Sequence, residues 1–131
     1  MCAAPDTPIA TPDGELPIAS LRVGDLVYSE DHDAIVAVPL LEVGHTSVTH
    51  HRVVRVTLED GRVLEISAGH PTADGRTFGD LLAGGKLDDH SIRSAELVPY
   101  VYDATFDILP ASSTGTYYAA GALIGSTLFR R

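Results

Sequence analysis

The chain has no tryptophan, one methionine and one cysteine in 131 residues, and only 6% of it is aromatic. A single cysteine excludes an intramolecular disulfide, so a core must hold the fold together. Basic residues are scarce, nine against eighteen acidic ones, for a formal net charge of -9. That balance repels phosphate backbones and anionic membrane surfaces, and argues against nucleic acid as a partner. Long apolar runs are also missing. The two longest, 34–41 and 119–124, are far too short to span a bilayer, and the first residues lack the basic start and apolar segment of a signal peptide. No long stretch has helical period, which leaves little room for a helical domain.

What is present is 44% hydrophobic content, with twelve glycines and eight prolines spaced at short intervals. This predicts one mainly β domain of short strands joined by tight turns. The clearest unit is a hairpin. Val54, Val56 and Leu58 alternate with Arg55 and Thr57, Glu59-Asp60-Gly61 turns the chain, and Leu64 and Ile66 alternate again. At its end comes Ser67-Ala68-Gly69-His70-Pro71, a hydroxyl and an imidazole three residues apart on a backbone that Pro71 keeps from continuing regularly. Such a pair suits attack on a carbonyl. From these residues alone, a turn serine and a surface histidine are the better description, since both residues are common near turns.

Elsewhere the pattern predicts a strand over 7–11, a Pro12-Asp13-Gly14 turn, a turn or single helical turn over 18–21 and a strand from Asp25. Residues 34–38 are apolar throughout and read as a strand buried on both faces, ending near Pro39, with a new pairing from Val43. His45, His50 and His51 raise the question of a metal. Adjacent histidines on a strand point to opposite faces and no second cysteine completes a site, so they read as solvated side chains and no metal is expected. Thr77 is placed to cap a helical turn with Asp80 reaching back. The phrase 77–86 echoes 18–25, and 91–101 reads as a strand bent at Pro99.

Three separated blocks then fall in an order that carries more weight. Cys2 precedes a threonine-containing strand, a turn and Ile18-Ala19-Ser20-Leu21-Arg22-Val23-Gly24-Asp25-Leu26-Val27; next comes the Ser67 to Pro71 stretch; last come Thr105-Phe106-Asp107-Ile108 and Ala119-Ala120-Gly121. Together they resemble the Hint domain family, shared by inteins, hedgehog autoprocessing domains and bacterial intein-like domains. The resemblance covers Cys2 to about Ser126. It implies a mainly β, Hint-type horseshoe of short strands with pseudo-twofold internal symmetry over 2–126, with 127–131 as a C-terminal flank and Met1 as a translation start ahead of the domain's first residue. Ser67 stands where the family has threonine, keeping the hydroxyl but losing the methyl that restricts it.

The resemblance also implies a chemistry. Cys2 attacks the carbonyl of the residue before it and converts that peptide bond to a thioester. Asp107 takes the thiol proton or orients a later nucleophile, with Asp103 as the fallback. His70 protonates the leaving amide nitrogen, and Ser67 donates to the developing oxyanion. Gly125 and Ser126 stand where inteins end in His-Asn, so cleavage on the N-terminal side is expected in place of splicing. The substrate would be the domain's own N-terminal flanking polypeptide, and the acceptor water, a thiol or an amine. No cofactor and no sterol-binding region are expected, and the domain is expected to be a monomer set in a larger protein such as a secreted or surface bacterial one. The rival reading keeps the fold without activity, as a spacer or binding module; an unrelated ligand-binding barrel fits the ordered blocks less well.

Overall fold

The computed structural model describes residues 2–130, and among these residues eleven β-strands and two one-turn 3-10 helices form the fold. Strand β1 (Pro8–Thr11) turns into β2 (Gly14–Pro17) through the expected Pro12-Asp13 corner. Thr11 Oγ1 donates to the Gly14 carbonyl at 2.6 Å and accepts the Asp13 N–H at 3.1 Å, which pins the turn. Strands β3 (Leu26–Asp31) and β4 (Ala34–Ser47) form a long antiparallel hairpin. The hairpin read from alternation is β5 (Arg52–Leu58) and β6 (Val63–Ile66), with Val54 opposite Ile66 and Val56 opposite Leu64. All its inward apolar residues are buried, so period-2 patterning here reports the core face directly.

The chain continues through β7 (Lys86–Leu87), β8 (His90–Pro99), β9 (Ala104–Pro110), β10 (Tyr117–Ala119) and β11 (Ala122–Ile124). Ala120 and Gly121, with φ of 50° and 82°, make the two-residue turn between β10 and β11. Three antiparallel sheets result, ordered β11-β10-β1-β2, β3-β4-β9 and β6-β5-β8-β7. Ala3 joins the second to the third. It bridges Ile66 on one side and Phe106 on the other, exchanging hydrogen bonds of 2.7 and 2.8 Å with Phe106.

The echo between 18–25 and 77–86 is a structural repeat. Leu21 N–H bonds the Ile18 carbonyl as Leu81 bonds Phe78, Asp25 bonds Arg22 as Gly85 bonds Leu82, and Gly24 bonds Leu40 as Gly84 bonds Ile92. Gly24 and Gly84 both have φ near 90°, in the left-handed region that glycine enters without a Cβ penalty. The match reaches upstream, since Ile18 N–H bonds Thr7 as Phe78 bonds His70, and Thr7 N–H bonds Ala4 as His70 bonds Ser67. Two halves with one hydrogen-bond frame pack about a common core of Ile18, Leu21, Phe78, Leu81 and the strand residues.

Three expectations change. Residues 34–38 are not buried on both faces: Ile35 is 66% exposed, because this half of β4 pairs only with β3 and no second layer covers it. The strand does not end near Pro39 either. Pro39 lies within β4, opposite Leu26, and a register shift at Leu40/Glu42 carries the same strand onto β9. At the other position the strand ends at Pro99 without bending through to 101, and Val101 is exposed. Asp80 does reach back, accepting the Thr77 N–H at 2.9 Å.

Phe78 is fully buried between the halves, its ring edge-on to His70 at 5.8 Å. Truncation to alanine is expected to cost about 3–5 kcal/mol of unfolding free energy, measurable by urea denaturation; a loss below about 1 kcal/mol would show that the site can collapse around the gap.

Candidate active site

The backbone of Cys2 is clamped by the end of β6. Its N–H donates to Ser67 Oγ at 3.1 Å, and its carbonyl accepts from Ser67 N–H at 3.1 Å and Ser67 Oγ–H at 3.2 Å. Cys2 and Ser67 are both buried. The clamp forms because Ala3 adds one residue of strand between β6 and β9, which sets Cys2 level with the residue that follows β6. The carbonyl that Cys2 would attack belongs to residue 1 and lies outside the described residues, as does any contact of Ser67 with it.

The Cys2 thiol faces Thr127 Oγ1 at 3.9 Å. Behind Thr127 lies Asp107, 2% exposed on β9. Four donors converge on this carboxylate: Ile108 N–H at 2.8 Å and Tyr117 O–H at 2.7 Å on Oδ1, Thr127 N–H at 2.7 Å and Thr127 O–H at 2.5 Å on Oδ2. That fills the acceptor capacity of an ionised carboxylate. Burial pushes the Cys2 thiol above its ordinary pKa, and the Asp107 charge pushes it further in the same direction. Burial also raises the Tyr117 phenol well above its usual range, with the Asp107 charge beside it adding to the shift. The resting group is therefore a neutral thiol next to a proton acceptor. Asp103, the fallback carboxylate, is exposed on a bend where its backbone carbonyl accepts the Val48 N–H at 2.9 Å.

His70 is fully buried, with Phe78 and Tyr117 edge-on to its ring. Its Nε2 lies 2.8 Å from the Gly125 carbonyl. A carbonyl only accepts, so Nε2 carries a proton. Gly125 makes this possible by close approach: a Cβ there would come within 3.1 Å of Pro71 Cγ and of the Thr72 carbonyl. Ser126 Oγ is engaged in a 2.6 Å bond to the Ile108 carbonyl. A cleft of about 450 Å³, lined by Gly69, Pro71, Gly125, Ser126 and Thr127 among others, opens beside this corner.

Of the four residues singled out by sequence, Cys2 touches Ser67 directly and reaches Asp107 through Thr127, while His70 bonds the Ser67 carbonyl by its backbone N–H at 3.0 Å and turns its ring to Gly125. Two further residues were not foreseen. His51, read as solvated, is half-buried and places Nε2 2.8 Å from Ser67 Oγ. The hairpin held the signal for it: one more step of the Val54–Ile66 register puts Val53 opposite Ser67, and His51 is next along the same face. Thr127 fell in the expected flank and had no local signal, since 125 residues separate it from Cys2. His45 is exposed and tilted against Phe106, and His50 is exposed with φ of 50°. Among the described residues, no three His, Cys, Asp or Glu side chains group as metal ligands do.

Residues 1–68 match the family model described as the Hint domain. The chain belongs to the Hint domain family. As a Hint domain it has the fold of several solved structures. A bacterial intein-like domain from Clostridium thermocellum superposes with a TM-score of 0.82 at 21% identity, over 95% of this chain and 99% of that one. The gp41-1 intein gives 0.71 at 24% identity over 95% and 97%, and a DnaB intein from Synechocystis 0.76 at 14% over 96% and 98%. At these identities the likeness is one of fold. A search of curated proteins found no match.

The raised thiol pKa has a direct readout. Conversion of Cys2 to its methyl disulfide by methyl methanethiosulfonate is expected to reach its half-maximal rate at a pH above that of a free thiol, because burial and the Asp107 charge both oppose the thiolate. Asp107→Asn removes one of these causes and should move the midpoint down. A wild-type midpoint at or below the free-thiol value would contradict the assignment.

Proposed function

We propose that this Hint domain processes itself at the peptide bond preceding Cys2, by an N-S acyl shift. The observation that carries the reading is the double hold on Cys2: its amide nitrogen rests against Ser67 Oγ while its thiol faces the Thr127–Asp107 pair. Sγ attacks the carbonyl carbon of the preceding residue. The thiol proton passes to Thr127 Oγ1 as the Thr127 proton passes to Asp107 Oδ2, which spares the site a free thiolate in a buried, anionic setting. The tetrahedral centre then collapses with the Cys2 nitrogen as leaving group, and His70, having taken up a second proton from solvent, gives a proton to that nitrogen, a general-acid step worth roughly 10²- to 10⁴-fold in rate. The products are a thioester on Cys2 and a free α-amine: the C–S bond forms and the C–N bond breaks, and the proton His70 takes from solvent is balanced when Asp107 releases the thiol's proton to solvent.

Cleavage in place of splicing fits Gly125 and Ser126. Neither carries a side-chain amide to cyclise, and the Ser126 hydroxyl is committed to the Ile108 carbonyl. The cleft beside Gly69 and Thr127 gives water, a thiol or an amine a way to the thioester, which releases the N-terminal flank. No cofactor enters this sequence, and the substrate is the domain's own flanking polypeptide.

The test is intact mass spectrometry of a precursor with a small folded tag and a short linker ahead of Cys2, with and without hydroxylamine. Tag release accelerated by hydroxylamine and abolished by Cys2→Ala is expected. Asp107→Asn should slow release by roughly 10²-fold even though it lowers the thiol pKa, since it removes the proton acceptor. A folded precursor that stays intact under every condition would instead identify an inactive spacer or binding module.

A further inference from the structure

Among the described residues, Ser67 Oγ lies within hydrogen-bonding distance of three atoms: Cys2 N at 3.1 Å, Cys2 O at 3.2 Å and His51 Nε2 at 2.8 Å. A hydroxyl has one proton and two lone pairs. Cys2 N can only donate and Cys2 O can only accept. All three contacts are satisfied together only when Ser67 gives its proton to the Cys2 carbonyl and accepts from both the Cys2 N–H and a His51 Nε2–H. Without the third partner, serine lacks the β-branch that would restrict its χ1 angle, and its hydroxyl samples the other staggered wells.

His51 is itself held in place. Its carbonyl accepts the Tyr100 N–H at 2.9 Å, and its ring stands edge-on to Tyr100 at 5.7 Å and 89°. The Tyr100 hydroxyl donates to the Ala104 carbonyl at 2.7 Å. His50 before it takes a left-handed φ of 50°, which turns the chain into β5 and aims the His51 imidazole back at the end of β6.

We infer that His51 is a positioning residue that fixes the Ser67 hydroxyl on the backbone of Cys2 and thereby sets the geometry of the amide that is broken; the last part rests on the processing reading above. The histidine touches neither the thiol nor the scissile nitrogen. Its effect passes through one oxygen atom.

Three variants in the tagged precursor test this. His51→Phe keeps an aromatic edge against Tyr100 and removes the donor. It is expected to slow thioester formation by roughly five- to tenfold, about the worth of one hydrogen bond. His51→Gln retains a side-chain N–H and should recover most of that loss, and adding Ser67→Thr to His51→Phe should also recover rate, because β-branching restores the orientation that the imidazole supplied. Backbone amide exchange read by NMR should be faster at Cys2 in His51→Phe while the amides of β5 and β6 keep their protection, which separates loss of orientation from loss of fold. In the wild type, the ¹⁵N signal of His51 Nε2 should be that of a protonated nitrogen. A folded His51→Phe protein with wild-type rate and unchanged Cys2 amide exchange would overturn the inference, as would an unprotonated Nε2. An inert wild-type precursor would sink the processing reading alone, since the exchange and ¹⁵N measurements still decide what His51 does to Ser67.

Discussion

The site hangs on one antiparallel exchange, residues 2–4 against 65–67. Ala4 N–H bonds the Glu65 carbonyl at 3.2 Å and Ser67 N–H bonds the Cys2 carbonyl at 3.1 Å, with Ala3 and Ile66 paired between them. These two segments open the two halves of the repeat, so the exchange lies where the halves meet. Cys2 and Ser67 are therefore placed by the register of buried strands rather than by a loop. A site built on such elements tolerates little drift, and small errors of position in a reacting group are expensive. The same placement buries the thiol.

Burial sets the electrostatic problem that the rest of the corner addresses. Reactive cysteines commonly gain thiolate character from a neighbouring cation or a helix N-terminus. Here the neighbour is an anion, and burial and Asp107 act together to keep Cys2 protonated. The arrangement stabilises a quiet resting state and makes attack depend on a proton leaving as the bond to carbon forms. Thr127 stands between thiol and carboxylate with its own O–H donated to Asp107 Oδ2, and Tyr117 holds the other carboxylate oxygen. In the proposed reaction the carboxylate that disfavours the thiolate also receives its proton.

Much of this is legible in the sequence where the signal is local. The β5–β6 alternation, the Pro12-Asp13-Gly14 turn and the Thr77–Asp80 reach-back are each written in a few consecutive residues, and each occurs as read. The repeat is visible as an echo, and its hydrogen bonds coincide residue by residue. The three ordered blocks point to the Hint fold because their order along the chain, and not any one of them, is distinctive. Residues 34–38 mislead because a short apolar run carries no periodicity to say which faces are covered. His51 and Thr127 escape for a different reason. Their chemistry is created by contacts with Ser67 and Cys2 across 16 and 125 residues of chain, and residue type alone does not distinguish a solvated histidine from one aimed at a buried hydroxyl. Register reveals the first, while only the closure of the C-terminal segment over the site brings in the second.

The central claim concerns one bond, and the most direct measurement watches that bond. Labelling the carbonyl carbon of the residue before Cys2 with ¹³C in an intact precursor allows its state to be followed by NMR. The account predicts that a thioester carbonyl resonance appears beside the amide resonance, disappears on addition of hydroxylamine, and never forms in Cys2→Ala. A carbonyl that remains an amide in a folded wild-type precursor, or one that passes directly to a carboxylate with the same rate in Cys2→Ala, would contradict it.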